Sequence, residues 1–207
     1  MFQDWKIAWR ISLKIHQKKL KNSKIDVGAQ NCHENETFGP FTGYINSSML
    51  KNAGAKFVII GHSENRKTGE TNKIINLKIK SALKSGLKVI FCVGETIQEK
   101  RKKITKQVLK KQINLGLNKI KNKKDIIIAY EPVWSIGSGL VPVSKELFDT
   151  IDFIKKNFKK YKVLYGGSVN PKNILELKLI NNIDGFLIGG ASQKTNKFID
   201  IIRKTYN

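Results

Sequence analysis

From residue 25 onward, short apolar runs alternate with helix-patterned stretches, and that rhythm leaves the chain few architectures. Strand-like runs fall at 25–30, Phe57–Ile60, Lys88–Val93, Ile126–Tyr130, Lys162–Tyr165 and 185–188. The spacing predicts helices at 46–52, Asn72–Lys84, 97–121, 144–158 and 171–179, with a closing helix at 196–204. Asn46 and Ser144 stand where helix caps are wanted, and Gly54 and Gly86 where helices stop. Residues 31–43 form a long polar loop. Residues 4–22 are ambiguous: Ile7, Trp9, Ile11, Leu13 and Ile15 alternate as in a strand, whereas 12–21 reads as a basic helix.

Strict alternation of this kind means parallel strands joined by helical crossovers. Six βα units are clear, with no linker or low-complexity tract between them. The chain is thus expected to be one α/β domain over 1–207, with 1–24 the divergent part. A (β/α)8 barrel takes eight units and about 250 residues, while an open doubly wound sheet takes fewer. No G-x-G-x-x-G follows the first clear strand, which counts against the dinucleotide-binding version of the open sheet.

The 207 residues carry a formal charge of +23, which raises nucleic acid as a partner. The distribution argues against it. Only four of the basic residues are arginines (Arg10, Arg66, Arg101, Arg203), and the lysines are spread over most of the chain. Arginine is the residue suited to bidentate phosphate and base contacts. No nucleic-acid partner is expected, and a positive surface would instead favour capture of a small anion. No apolar run is long enough for a membrane span, and Met1 to Ile15 has no secretory pattern. Cys32 and Cys92 have no metal-type spacing, so a cytoplasmic protein with reduced thiols and no metal or cofactor is expected.

In α/β folds the chemistry gathers where strands end. The strand at Phe57–Ile60 runs into Gly61-His62-Ser63-Glu64, and Lys88–Val93 into Gly94-Glu95-Thr96. Ile126–Tyr130 is followed directly by Glu131, stiff Pro132, an apolar patch, and Gly137 and Gly139. A carboxylate at a strand end under a segment hinged by glycines describes a general base beneath a lid, although a surface acid in an ordinary loop has the same letters. The last two strands run into Gly166-Gly167-Ser168 and Gly189-Gly190-Ala191-Ser192. One glycine pair is usually just a turn. Two pairs at consecutive strand ends suit a phosphate, because bare backbone N–H groups can approach it. His62 opens a predicted helix, where the dipole disfavours its charged form. Together these residues suit proton abstraction beside a carbonyl, with a neutral imidazole stabilising the enediolate and a phosphate held at the far end.

These stretches resemble the triosephosphate isomerase family. The matching segments are Ala29-Gln30-Asn31, Phe41-Thr42-Gly43, Gly61 to Glu64, Cys92 to Thr96, residues 129–139, Tyr165 to Asn170 and Asp184 to Ser192. The resemblance implies a TIM-type (β/α)8 barrel interconverting dihydroxyacetone phosphate and glyceraldehyde 3-phosphate in glycolysis and gluconeogenesis. It implies Glu131 as base, His62 as electrophile, and Gly137, Ser168, Gly189 and Gly190 as phosphate binders. Glu64 matches a carboxylate beside the site, and Trp134 a lid residue with Tyr130 and Glu95 as partners. The loop at 31–43 resembles one that inserts into a second subunit, so a homodimer is implied.

The front of the chain departs from the pattern. The family opens on a strand ending in Asn-x-Lys, whose lysine contacts the substrate, and Asp4-Trp5-Lys6 only echoes it. The expectation is a barrel incomplete at its N-terminus, with the family's first two strands absent or replaced by residues 1–11. A catalytically impaired barrel that keeps only phosphate binding is the alternative function. Salt-dependent nucleic-acid binding without phosphate-sugar binding would instead mark a third reading.

Overall fold

The computed structural model describes residues 6–8, 20 and 22–206. Among the described residues there are seven strands: β1 (Lys6–Ala8), β2 (Ile25–Ala29), β3 (Phe57–Ile60), β4 (Lys88–Val93), β5 (Ile126–Tyr130), β6 (Lys162–Tyr165) and β7 (Gly185–Phe186). They follow one another in the sheet in chain order. The helices are α1 (Ser47–Asn52), α2 (Ser63–Lys67), α3 (Asn72–Lys84), α4 (Ile97–Arg101), α5 (Thr105–Gly116), α6 (Ser144–Asn157), α7 (Ile174–Lys178) and α8 (Thr195–Tyr206), with a 3₁₀ turn at Gly190–Gln193. By backbone proximity the chain forms two compact units, Met1–Cys92 with Gln112–Ile127, and Val93–Lys111 with Ile128–Asn207.

In the first unit β1, β2, β3 and β4 pair in parallel. All four residues of β3 are buried, as expected of a parallel strand covered on both faces. The helix α3 follows the 3.6-residue period and buries Ile75, Ile79 and Ala82 on one face. Each of the two isoleucines contributes roughly 1.5–3 kcal/mol by leaving water. Thr71 caps the helix by accepting from the Ile74 N–H, and Gly86, at φ 74°, follows its end. In the second unit β6 and β7 pair in parallel. Here α6 buries Leu147, Thr150, Ile151 and Ile154 at helical spacing.

Several expectations are corrected. The single helix at 97–121 is two helices, α4 and α5. Thr96 and Glu99 form a capping box that starts α4, and Lys103 takes a left-handed φ of 58° just beyond its end. The cations Lys100 and Arg101 sit in the last turn, where they complement exposed carbonyls, so the charged run ends a helix instead of continuing one. Ser144 is not the cap of α6. Val143 holds that place, and the Ser144 hydroxyl donates to Glu176 Oε1 at 2.8 Å. The helix at 171–179 shortens to α7 because the Asn170 side-chain oxygen accepts from the N–H groups of Lys172 and Asn173, closing a turn there. The strand at 185–188 shortens to Gly185–Phe186.

At the front a seventh strand, β1, lies within residues 1–11, the segment expected to replace the family's first strands if they are not simply absent. Lys6 pairs with Ile25 and Ala8 with Val27. Lys6 therefore opens β1 at the end of the sheet where strands enter, whereas His62 lies where β3 leaves. That register does not give Lys6 the family lysine's position at a strand exit. The helix expected at 12–21 lies outside the described residues apart from Leu20, which is helical.

Candidate active site

In the first unit, the chain leaving β3 turns at Gly61, whose φ is 80°. His62 then caps α2, and its Nδ1 accepts from the Glu64 N–H at 3.3 Å. An Nδ1 that accepts leaves the proton of the neutral ring on Nε2. Burial holds the imidazole below its ordinary pKa of 6.5, with Glu64 pulling it up and Lys67 pushing it further down. The Glu64 carboxylate stands 3.8 Å from Nδ1, but its side chain is 80% exposed, which screens its pull.

Arg66, which the sequence reading left without a role, pins this turn. Its Nε donates to the Gly61 carbonyl at 2.7 Å, Nη1 to Asn72 Oδ1 at 2.8 Å and Nη2 to the Cys92 carbonyl at 3.1 Å. A Cβ on Gly61 would meet that guanidinium at 3.1 Å. Behind β2, Asn31 Nδ2 donates to Glu70 Oε1 at 2.8 Å, and Lys78 Nζ bonds both Asn31 Oδ1 and Glu70. Lys78 is buried on the apolar face of α3. A lysine interrupting such a face is the signal that could have found this cluster in the sequence.

In the second unit, the Glu131 backbone is clamped on both sides. Its N–H donates to the Val93 carbonyl and the Gly166 N–H donates to the Tyr130 carbonyl, both at 2.8 Å. Two glycines make room for it. A Cβ on Gly94 would fall 1.8 Å from the Glu131 carbonyl oxygen, and one on Gly166 would fall 2.7 Å from Glu131 Cγ. Glu131 is buried.

The segment beyond Glu131 is fastened at both ends. Trp134 Nε1 donates to Glu95 Oε1 at 2.8 Å, and the Tyr130 hydroxyl lies 3.2 Å from Glu95 Oε2. Burial raises the Glu95 carboxyl pKa, against the pull of the bonds from Trp134 and Tyr130 and of the Lys100 charge. Lys100 Nζ sits 3.8 Å above the Trp134 ring and pairs with Glu146 at 2.8 Å. At the far end Gly137 and Gly139 adopt φ of 69° and 78°, and the Gly139 N–H donates to Ser168 Oγ at 3.1 Å.

Ser168 and Gly189 follow neighbouring strands, because Leu164 pairs with Gly185 and Tyr165 with Phe186. Gly190 opens the 3₁₀ turn, and among the described residues no heavy atom beyond the adjoining residues lies within 4 Å of a Cβ built on Gly189 or Gly190. Of the predicted site residues in this unit, Ser168 thus accepts from Gly139, two residues beyond Gly137, and Glu131 is enclosed by Gly166. Among the described residues no cluster of His, Cys, Asp and Glu could hold a metal ion, and no helix is long and apolar enough to cross a membrane.

Residues 7–205 match the family described as triosephosphate isomerase. Triosephosphate isomerase of Thermodesulfovibrio yellowstonii is 43% identical over 196 residues, covering 90% of this chain and 79% of that protein. The enzyme of Mycoplasmopsis pulmonis is 44% identical over 190 residues, covering 91% of this chain and 75% of the other. The crystal structure of triosephosphate isomerase from Bartonella henselae superposes with a TM-score of 0.85 at 38% identity, covering 94% of this chain and 83% of that one. The fold is of the TIM (β/α)8 type, and the chain belongs to the triosephosphate isomerase family.

Proposed function

We infer that this protein is a triosephosphate isomerase, interconverting dihydroxyacetone phosphate and glyceraldehyde 3-phosphate. Glu131 takes a proton from the carbon beside the substrate carbonyl and returns it to the neighbouring carbon. The Nε2–H of neutral His62 donates to the oxygen that gains charge, so the enediolate is stabilised without a charged acid. The N–H groups around Gly137, Ser168, Gly189 and Gly190 hold the phosphate. The open space where side chains would stand on Gly189 and Gly190 supports that role, since it leaves room for an anion against the backbone. Closure of residues 132–140 keeps water away from the enediolate.

The observation that carries this reading is the burial of Glu131 at the exit of β5, with Gly94 against its backbone and Gly166 against its side chain. Glu131→Gln keeps the shape and removes the base. Isomerisation is expected to fall by roughly 10³-fold or more, within the range of acid–base contributions. An unchanged rate would remove Glu131 from the mechanism.

The homodimer belongs to the same proposal. Phe38, Tyr44, Ile45 and Met49 are exposed on the loop at 31–43 and the segment after it, and such apolar side chains favour a partner surface. Sedimentation at micromolar concentration tests this, and a monomer would refute it. A cytoplasmic location is proposed from the two buried thiols, Cys32 and Cys92, and the family's glycolytic reaction.

A further inference from the structure

Asn173 holds the cap position of α7, yet its side chain makes no capping bond to that helix. An asparagine there ordinarily accepts from an N–H in the first helical turn. This one is turned backwards. Its Nδ2 donates to the Ser168 carbonyl at 2.8 Å, and its Oδ1 accepts from the Asn170 N–H at 2.9 Å. The partners settle which end of the amide is which, since a carbonyl can only accept and an N–H can only donate. Both ends of the half-buried amide thus serve the loop that leaves β6 and not the helix.

The two bonds clamp the chain on either side of Val169, which is itself buried. A peptide group is planar, so fixing the Ser168 carbonyl also fixes the plane that follows its Cα. Asn170 does a different job from the same turn. Its Oδ1 accepts from the Lys172 and Asn173 N–H groups at 2.9 and 3.3 Å and so shapes the start of α7. Asn173 therefore faces Ser168 through a donor, and Asn170 faces the helix through an acceptor.

We propose that Asn173 is a positioning residue for the phosphate loop: through its Nδ2 it holds the Ser168 backbone where that residue can receive the phosphate end of the substrate. This rests on the phosphate-binding part of the isomerase reading, and not on the proton transfer at Glu131 and His62. The clamp is contained within residues 168–173 and draws on no other element. The stretch after Ser168 then needs no ordering when the anion arrives, and less affinity is lost there.

The test is Asn173→Asp, which exchanges the Nδ2 donor for an oxygen and keeps the acceptor for Asn170. Asn170→Asp puts the same charge in the same turn but touches only an acceptor, so it separates the clamp from simple repulsion of an anion. Inorganic phosphate is titrated into each chain and followed by amide chemical shifts. Its affinity is expected to be about tenfold weaker in Asn173→Asp than in Asn170→Asp. In turnover, kcat/KM for glyceraldehyde 3-phosphate is expected to fall about tenfold in Asn173→Asp, while that for glyceraldehyde, which lacks the phosphate, stays within about twofold of the wild type. Equal phosphate affinity in the two variants, equal losses with both substrates, or a wild type with no affinity for phosphate would each overturn the proposal. Should Asn173→Asp not fold, Asn173→Ala is compared with the wild type by the same two measurements: weaker phosphate binding with glyceraldehyde turnover kept supports the clamp, and unchanged binding or equal losses overturn it. A wild type that binds phosphate but turns over neither substrate would refute the isomerase reading alone, because the titration needs no turnover.

Discussion

A Cβ on Gly166 would lie 2.7 Å from Glu131 Cγ, so this glycine forms one wall of the space that holds the carboxylate. The contact is with the side chain, whereas the contact at Gly94 is with the backbone of Glu131. Gly166→Ala therefore pushes the carboxylate sideways without disturbing β5. Misplacing a reacting group by about 1 Å costs roughly 10²-fold in rate. The loss is expected in kcat, with KM changed little, as steady-state kinetics would show. A KM effect alone would mean that Gly166 does not set the position of Glu131.

Lys100 joins three partners: the Trp134 ring, Glu146 and, through its charge, Glu95. The Glu146 pair is partly exposed and contributes little. The cation over the indole face contributes about 0.5–2 kcal/mol. Lys100→Met keeps the length and removes the charge, so urea unfolding should show a loss of about 1 kcal/mol, with Lys100→Arg restoring it. Equal stability of all three forms would show that the stacked cation contributes nothing.

The pH dependence divides between two groups of opposite sign. His62 has a folded pKa below its unfolded value, so its contribution to stability is present above pH 6.5 and is lost as pH falls through the folded value. An NMR titration of the His62 ring should therefore give a midpoint below 6.5, with the proton on Nε2 above it. A midpoint above 6.5 would contradict the neutral-imidazole role.

Glu95 runs the other way. Its folded pKa is raised above 4.5 by burial, so its contribution is fully present below that value and is lost as pH rises through the folded pKa. Glu95→Gln should thus gain stability relative to the wild type as pH rises from 4.5, measured by unfolding at a series of pH values. A difference that stays flat with pH would show that Glu95 ionises at its ordinary value.

The β1 register sets a further expectation. Lys6 pairs with Ile25 at the entry end of the sheet, while His62 follows the exit of β3. Lys6→Ala is expected to leave kcat/KM within about twofold of the wild type, well inside one tenfold step of 1.4 kcal/mol. A tenfold fall would show that this lysine reaches the substrate after all.

Much of the fold, and with it the placing of the candidate site residues, was legible because local rules carry it. β3, β4, β5, β6 and α3 fall at the residues that the apolar period marks, since burial on a strand or helix face leaves a fixed spacing in the sequence. His62, Glu131, Ser168, Gly189 and Gly190 could be singled out because each follows a strand exit, a position set by chain order. What the order of residues could not supply was decided by partners distant in sequence. The break between α4 and α5 carries no glycine or proline to announce it, and Ser144 gave up its cap for Glu176, 32 residues away. The work of Gly94 and Gly166 around Glu131 exists only once separate strands are side by side. A period records which face is buried, but hydrogen-bond capacity and free volume are settled by what arrives from elsewhere in the chain.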